Sequence, residues 1–245
     1  MDKKAEWFSN WFNSSYYHRL YKNRDIQEAQ AFIDKLLAYL CPPKKSKVLD
    51  LACGRGRYAK YMFDKGLLVE GWDISSESIA YAQQYEEVGL HFRIHDMRES
   101  FDTSSFDYIF SFFTSFGYFE TDEEHLATIH NIYTALESNG IFVLDFLNAQ
   151  KVINQLVEEE EKKVDGTLFK IKRTFENGYI LKHIYFIDDE GNPRFYTEKV
   201  RAFSLESFKE LFGQVGFKGV QVFGDYNLSN YQEDQSDRLI LILTK

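Results

Sequence analysis

An α/β fold, a parallel sheet with helices on both faces, is predicted by two patterns in the sequence. From Lys47 to Phe146, short apolar runs alternate with helical periodicity. Beyond residue 160 the rhythm changes. Runs at 167–175, 179–187 and 194–202 lie too close together for crossover helices and predict an antiparallel meander. Residues 1–150 and 203–245 then form one domain, with a C-terminal antiparallel hairpin. Residues 151–202, a helix plus a small antiparallel β insertion, interrupt it after the fifth strand.

The elements follow in chain order. Asp25 and Glu28 are spaced as an acidic capping pair. Ala29, Phe32, Ile33, Leu36, Leu37 and Leu40 then recur at helical spacing until Cys41-Pro42-Pro43 ends the helix. Lys47–Ala52 is a short apolar strand running into Gly54-Arg55-Gly56, and a helix through Tyr58, Tyr61 and Met62 follows to Gly66. A second strand, 67–73, ends on Asp73, after which Ser75 and Ser76 offer N-caps. Strands at 90–95 and 106–113 come next. Thr121-Asp122-Glu123-Glu124 is a capping box that opens a helix carrying Leu126, Ile129, Tyr133 and Leu136, and 140–146 is the fifth strand. Val152–Glu161 predicts a helix with Glu158–Glu161 on a solvated face. Asn177-Gly178 is a two-residue hairpin turn. Ser204 caps a helix bearing Phe208, Leu211, Phe212 and Val215, which Gly216 terminates; 217–224 and 237–244 close the chain as paired strands.

Composition narrows the function classes. The 245 residues carry a net charge of −9, which argues against a dedicated nucleic-acid binder. Two cysteines, Cys41 and Cys53, form no disulfide framework, so a reducing cytoplasm is expected. No apolar run is long enough to span a membrane, and Met1–Phe12 does not read as a signal peptide. His125 and His130 stand at i, i+5, a poor one-face pair, and no metal site is predicted.

The chemistry concentrates in Val48–Gly56. A strand feeds a glycine-rich turn and then a helix N-terminus, where unpaired N–H groups favour anions. Such a turn suits a pyrophosphate or an amino-acid carboxylate. Asp50, inside the strand, is a poor neighbour for pyrophosphate and a good one for an ammonium group. That disfavours a NAD-dependent oxidoreductase. Asp73 can accept ribose hydroxyls. Asp96 can accept an exocyclic adenine amine, and Met97 can pack on the ring. A ligand with carboxylate, ammonium, ribose and adenine is S-adenosylmethionine.

These motifs, VLDLACGRGRYAKYM, VEGWDISSESIAYA, HDMRES and FDYIFSFFTSFGYF in that order, resemble the Rossmann-like S-adenosylmethionine-dependent methyltransferases. The chain is most similar to the small-molecule branch that includes aminosugar N-methyltransferases. The resemblance implies that Asp50, Ala52, Gly54 and Gly56 contact the methionine moiety, with Cys53 and Ile74 beside the cofactor. It places Asp73 at the ribose, Asp96 and Met97 at the adenine, Phe112 near the sulfonium and Tyr17 near the carboxylate. Ser111-Phe112-Phe113 departs from the Asn/Asp-Pro-Pro-aromatic motif of base and amide methylation, which points to a small-molecule acceptor, an amine or a hydroxyl.

Phe116 and Tyr118 are candidates for lining the acceptor pocket, and Tyr118, His125 and Asp145 for a general base. Cys53 reads as a small filler rather than a nucleophile. Arg24 is a candidate contact for a carboxylate, with a surface role the simpler reading. In the insertion, Phe169, Ile171 and Phe175 alternate with lysines, so one dry face must pack as a lid on the pocket or against a second subunit. A different class of function, an idle nucleotide-binding module acting through a partner protein, uses the same cofactor site.

Overall fold

The computed structural model describes residues 7–22, 26–101 and 106–245. The chain opens with helices α1 (Trp7–Phe12), α2 (Ser15–Leu20) and α3 (Ile26–Leu40). There follow β1 (Lys47–Leu51), α4 (Arg57–Asp64), β2 (Leu68–Asp73), α5 (Ser76–Ala82), β3 (Leu90–Ile94), β4 (Phe106–Ser111), α6 (Asp122–Ala135) and β5 (Leu136–Leu147). After α7 (Ala149–Asn154) come β6 (Glu159–Val164), β7 (Thr167–Glu176), β8 (Tyr179–Ile187) and β9 (Pro193–Arg201). Helix α8 (Leu205–Val215), β10 (Lys218–Phe223) and β11 (Arg238–Thr244) complete it.

The main sheet runs β3-β2-β1-β4-β5-β11-β10, with β1 to β5 parallel and the last two strands antiparallel. β1 is central, and its Val48–Leu51 are buried, as a strand covered on both faces requires. One face is covered by α6 and α8, whose Ile129, Ile132, Phe208 and Phe212 join Leu144 and Phe146. The other is covered by α3, α4 and α5, with Phe32, Met62 and Ile79 against Val48 and Val69. The strand order reverses at β1, where β2 and β4 leave on opposite sides. The ends of β1, β2 and β4 thus open a crevice at that edge. The helix starts anticipated at Ser75, Thr121 and Ser204 are all side-chain caps, and the box at Thr121 is complete. The pair at Asp25 falls outside the described residues, as does Arg24.

Two elements differ from expectation. The helix foreseen over Val152–Glu161 stops at Asn154, and the glutamate run lies instead in strand β6. The ladder explains why: Glu161 faces Lys170 and Glu159 faces Lys172 across to β7, and Arg173 holds Glu160 at 2.6 Å. Asp165 and Gly166, both at positive φ, turn β6 into β7. The second sheet therefore has four strands, β6-β7-β8-β9. The other difference is the pair of short N-terminal helices, which no periodicity announced.

Those helices resolve the dry face. Phe169, Ile171, Ile184 and Phe186 pack against Trp11 of α1 and Leu20 of α2, within the same chain. That removes the reason for placing a second subunit on this face. Phe175, grouped with it in the sequence, stays 44% exposed. Polar ties fasten the joint: Arg19 to Asp189 at 2.7 Å, Trp11 Nε1 to Glu198 at 2.7 Å, and the Tyr21 hydroxyl to Glu198 at 2.6 Å. Among the described residues no helix is long and apolar enough to cross a membrane.

Truncating Phe169 to Ala removes a fully buried ring from this joint and is expected to cost about 3–5 kcal/mol in chemical denaturation. Phe175→Ala should cost less than about 0.5 kcal/mol. Equal losses would contradict the packing described.

Candidate functional site

The site begins with the backbone after β1. Ala52, Gly54 and Gly56 take φ of 65°, 53° and 71°, and the amides of Ala52 and Cys53 both donate to the Trp72 carbonyl, at 2.7 and 3.0 Å. The turn is thereby pinned to the end of β2. A Cβ on Gly54 would meet nothing within 4 Å, so this glycine faces open space. A Cβ on Gly56 would lie 2.5 Å from the Phe92 ring. Gly56 therefore serves helix-to-sheet packing and does not line the cavity, in contrast to the role the resemblance implied for it.

The cavity at the strand ends encloses about 310 Å³. Tyr17, Asp50, Ala52, Cys53, Gly54, Asp73, Ile74, Asp96, Met97, Phe112 and Tyr118 all line it. Ten of the eleven candidate cofactor residues thus converge, and Gly56 alone stands behind them.

The acids differ in their surroundings. Asp50 is buried, lies near the Ala59 amide, and leaves Oδ2 with no partner. Burial first, and then the neighbouring Asp73 carboxylate, push its carboxyl up to about 7. Asp73 accepts the Gly54 amide at 2.7 Å and the Ser75 amide at 2.8 Å, which fixes its orientation, while burial raises its carboxyl too. Asp96 is gripped by Arg98, Nη2 to Oδ2 at 2.6 Å, and Arg98 reaches on to Glu124 of α6 at 2.8 Å. The Arg98 amide also donates to Asp96 Oδ1, at 3.0 Å.

Three residues proposed for catalysis or lining lie elsewhere. His125 is buried in an aromatic cluster, 5.2 Å from Phe116 and 5.0 Å from Phe203, with Nδ1 against the Thr121 carbonyl. Burial lowers its basicity. Phe116 is 2% exposed and packs on Phe203 and Phe208; Gly117 turns the chain there, so Phe116 points inward and Tyr118 reaches the cavity. Asp145 is buried with both oxygens engaged. It accepts the Phe113 amide at 2.8 Å and Arg238 Nε at 2.7 Å, with the Tyr226 hydroxyl at 3.3 Å. It supports the loop after β4 and does not touch the cavity. Cys53 is buried and its thiol is pushed up, as a filler's would be. Tyr118 does line the cavity, but its hydroxyl donates to the Thr114 carbonyl.

Of the outer wall, the sequence assigned a site role to Tyr17 alone. Phe8 and Phe12 of α1, His18 of α2, Tyr21, Arg55 and Tyr81 line the same cavity. The aromatic spacing of Trp7, Phe8, Trp11 and Phe12 was the available signal.

A parallel sheet with a glycine turn after β1 and acids after β1, β2 and β3 defines a nucleotide-cofactor transferase of the methyltransferase type. The methyltransferase domain family matches residues 21–222, and the chain belongs to it. It is an S-adenosylmethionine-dependent methyltransferase. The putative methyltransferase YqeM of Bacillus subtilis is 28% identical over 207 residues, covering 80% of this chain and 83% of its own. An S-adenosylmethionine-dependent methyltransferase from Clostridium acetobutylicum has the same fold, with a TM-score of 0.80 at 18% identity over 96% of this chain and 98% of that one. The amino pentose methyltransferase CalS10 from Micromonospora echinaspora, solved with S-adenosylmethionine bound, gives a TM-score of 0.69 at 16% identity over 94% and 97%. The residues fit this cofactor: Asp50 Oδ2 is buried and without a partner, as a receptor for its ammonium group would be.

Asp50 makes a signed pH prediction. Its carboxyl sits near 7 in the folded chain against 3.8 ordinarily, so the folded form keeps a proton that the unfolded form releases. Stability from this group is fully present below about 3.8 and falls as pH rises toward 7. Asp50→Asn should flatten that slope and raise the melting temperature of the free protein at pH 8 by about 2–4 °C or more. The same variant should bind S-adenosylhomocysteine at least ~10-fold more weakly by calorimetry. A variant that is less stable at pH 8, or binds undiminished, would contradict this role.

Proposed function

We propose that this enzyme methylates a small molecule, with an amine nitrogen as the acceptor. The observation that carries the reading is how the cavity is walled. Its outer wall is aromatic, from Phe8, Phe12, Tyr17 and Tyr21, and it is tied to the second sheet through Arg19 and Glu198. A wall of that kind admits a compact acceptor and obstructs a polymer. The likeness to CalS10, an amino pentose methyltransferase, supports the same class.

When bound, S-adenosylmethionine supplies a methyl group activated by a sulfonium. The chain supplies position and field. Asp50 would hold the ammonium, Asp73 would accept the ribose hydroxyls, and Asp96 and Met97 would receive the adenine. Phe112 and Tyr118 present aromatic faces to positive charge at the reacting centre. A hydroxyl acceptor requires a base. His125 and Asp145 lie outside the cavity, and the cavity's own His18 is depressed to about 4 by burial, then by Arg55 and Arg57. An amine arriving neutral requires no strong base, and this favours nitrogen.

Incubation with S-adenosylmethionine and a panel of amino sugars and other small amines, followed by mass spectrometry, tests the reading. Products should carry one or more added methyl groups on nitrogen. Phe112→Leu should reduce kcat/KM by about 5–30-fold, the equivalent of ~1–2 kcal/mol of cation–π stabilisation. Methylation confined to hydroxyls, or cofactor binding with no product across the panel, would overturn it.

A further inference from the structure

After β3 the chain makes a tight turn, in which the Glu99 amide donates to the Asp96 carbonyl at 2.9 Å. The turn brings the side chains of Asp96 and Arg98 together. The Arg98 amide donates to Asp96 Oδ1 at 3.0 Å, Nε to Oδ1 at 3.1 Å and to Oδ2 at 3.2 Å, and Nη2 to Oδ2 at 2.6 Å. One residue thus holds both oxygens, from its backbone and from a planar fork. The far end of the guanidinium reaches Glu124 Oε1 of α6 at 2.8 Å. Glu124 is itself fixed, because its Oε2 accepts the Glu120 and Thr121 amides at 3.0 and 3.1 Å. The side chains of Arg98 and Asp96 are only 17% and 13% exposed, so their attraction is little screened. The Arg98 guanidinium also lies 5.4 Å from the Phe8 ring and 5.1 Å from the Phe119 ring, and both rings line the cavity.

The course of this loop has a separate anchor. Asn131 of α6 donates through Nδ2 to the carbonyls of Met97, Arg98 and Glu99, at 3.3, 3.0 and 2.9 Å. What Arg98 adds is the direction of the Asp96 carboxylate. A carboxylate only accepts. Fixed in direction, it suits a 6-amino purine and opposes the oxygen of a 6-oxo purine. Free to turn, it can instead accept the N1–H that a 6-oxo purine carries. The direction of Asp96, and not its presence alone, then decides between the two bases.

We propose, resting on the placing of the adenine at Asp96 and Met97, that Arg98 is a positioning residue for base recognition: by holding Asp96 in one direction from α6, it makes the cofactor site select a 6-amino purine over a 6-oxo purine. A site built to pair one polar group rejects an analogue that leaves its own groups unpaired, and the rejection is only as strict as those groups are fixed. Arg98 supplies the fixing, and Asp96 supplies the contact.

Calorimetry with two nucleosides tests this: S-adenosylhomocysteine, and S-inosylhomocysteine, in which oxygen replaces the 6-amino group. The readout is the ratio of the two affinities. Wild type should prefer the adenosyl compound by about 10–100-fold. Arg98→Gln should bring the ratio to about 3-fold or less, and Arg98→Lys, which keeps the charge without the fork, should lower it by at least about 3-fold. Asn131→Ala loosens the loop without touching Asp96, so it should weaken both compounds alike and keep the wild-type ratio. Asp96→Ala should abolish the preference. If Asp96→Ala abolishes it while Arg98→Gln keeps it, weakening both compounds alike as Asn131→Ala does, the adenine stays placed at Asp96, the role of Arg98 is structural only, and the proposal is overturned. If wild type shows no preference, or Asp96→Ala keeps it, the placing of the adenine fails and the proposal falls with it. Should Arg98→Gln not fold, Arg98→Lys decides by the same ratio, and an unchanged value overturns the proposal.

Discussion

A carboxylate buried at the end of the central strand, with one oxygen unpaired, is the constraint around which the rest of this molecule is arranged. Asp50 cannot reach water, and the residue beside it in space is another acid. An arrangement of that kind opposes folding on its own. The strand delivers Asp50 to the cavity, and on the proposed reading a cation received there offsets the cost. The turn that follows takes three left-handed residues in close succession, and its amides are spent on β2: Ala52 and Cys53 on the Trp72 carbonyl, Gly54 on the Asp73 carboxylate. The first strand's turn thus orients the second strand's acid. Two functional carboxylates are set by one short piece of backbone.

The cavity has a second half that the parallel sheet does not provide. Helices α1 and α2 contain six residues each, too short to persist alone. They exist because Trp11 and Leu20 find apolar surface on the four-stranded sheet. The same helices turn Phe8, Phe12, Tyr17, His18 and Tyr21 toward the cavity. The insertion therefore acts on the site at one remove: it supports the helices that form the wall, through Glu198, Asp189 and Asp165. The insertion's dry face is thereby covered within the same chain, by the helices that wall the cavity.

The α/β core was legible because its signals are local. Buried strands read as short apolar runs, and caps at Ser75, Thr121 and Ser204 act within one helical turn. Acids at strand ends are likewise read by counting along a strand. The N-terminal helices were harder to read, because their partner surface lies some 150 residues away and their short length leaves only the spacing of Trp7, Phe8, Trp11 and Phe12 as a signal. Glu158–Glu161 misled because charge alone does not separate a solvated helix from an edge strand. The cross-strand lysines decided it, and the Asp165-Gly166 turn was a signal left unused. Within the aromatic run at 112–119, a positive φ at Phe113, Thr114 and Gly117 broke any regular alternation, so Phe116 and Tyr118 parted company.

That broken alternation has a structural cause, and it gives Asp145 its function. Phe113 and Thr114 take φ of 58° and 63°, conformations that cost ordinary residues of order 1 kcal/mol or more each. Asp145 offsets this by accepting the Phe113 amide, while its own carbonyl accepts the Thr114 amide at 3.0 Å. Arg238 neutralises the carboxylate and donates to Thr114 Oγ1 at 3.0 Å. Arg238 begins β11, which pairs with β5 directly at Asp145's neighbours. The antiparallel end of the sheet is thereby connected to the loop carrying Phe112, Phe113, Ser115 and Tyr118 into the cavity. An acid in a methyltransferase sheet invites the role of base. Here both its oxygens are engaged, and its contribution is to hold a strained loop in the shape that brings aromatic side chains to the cavity.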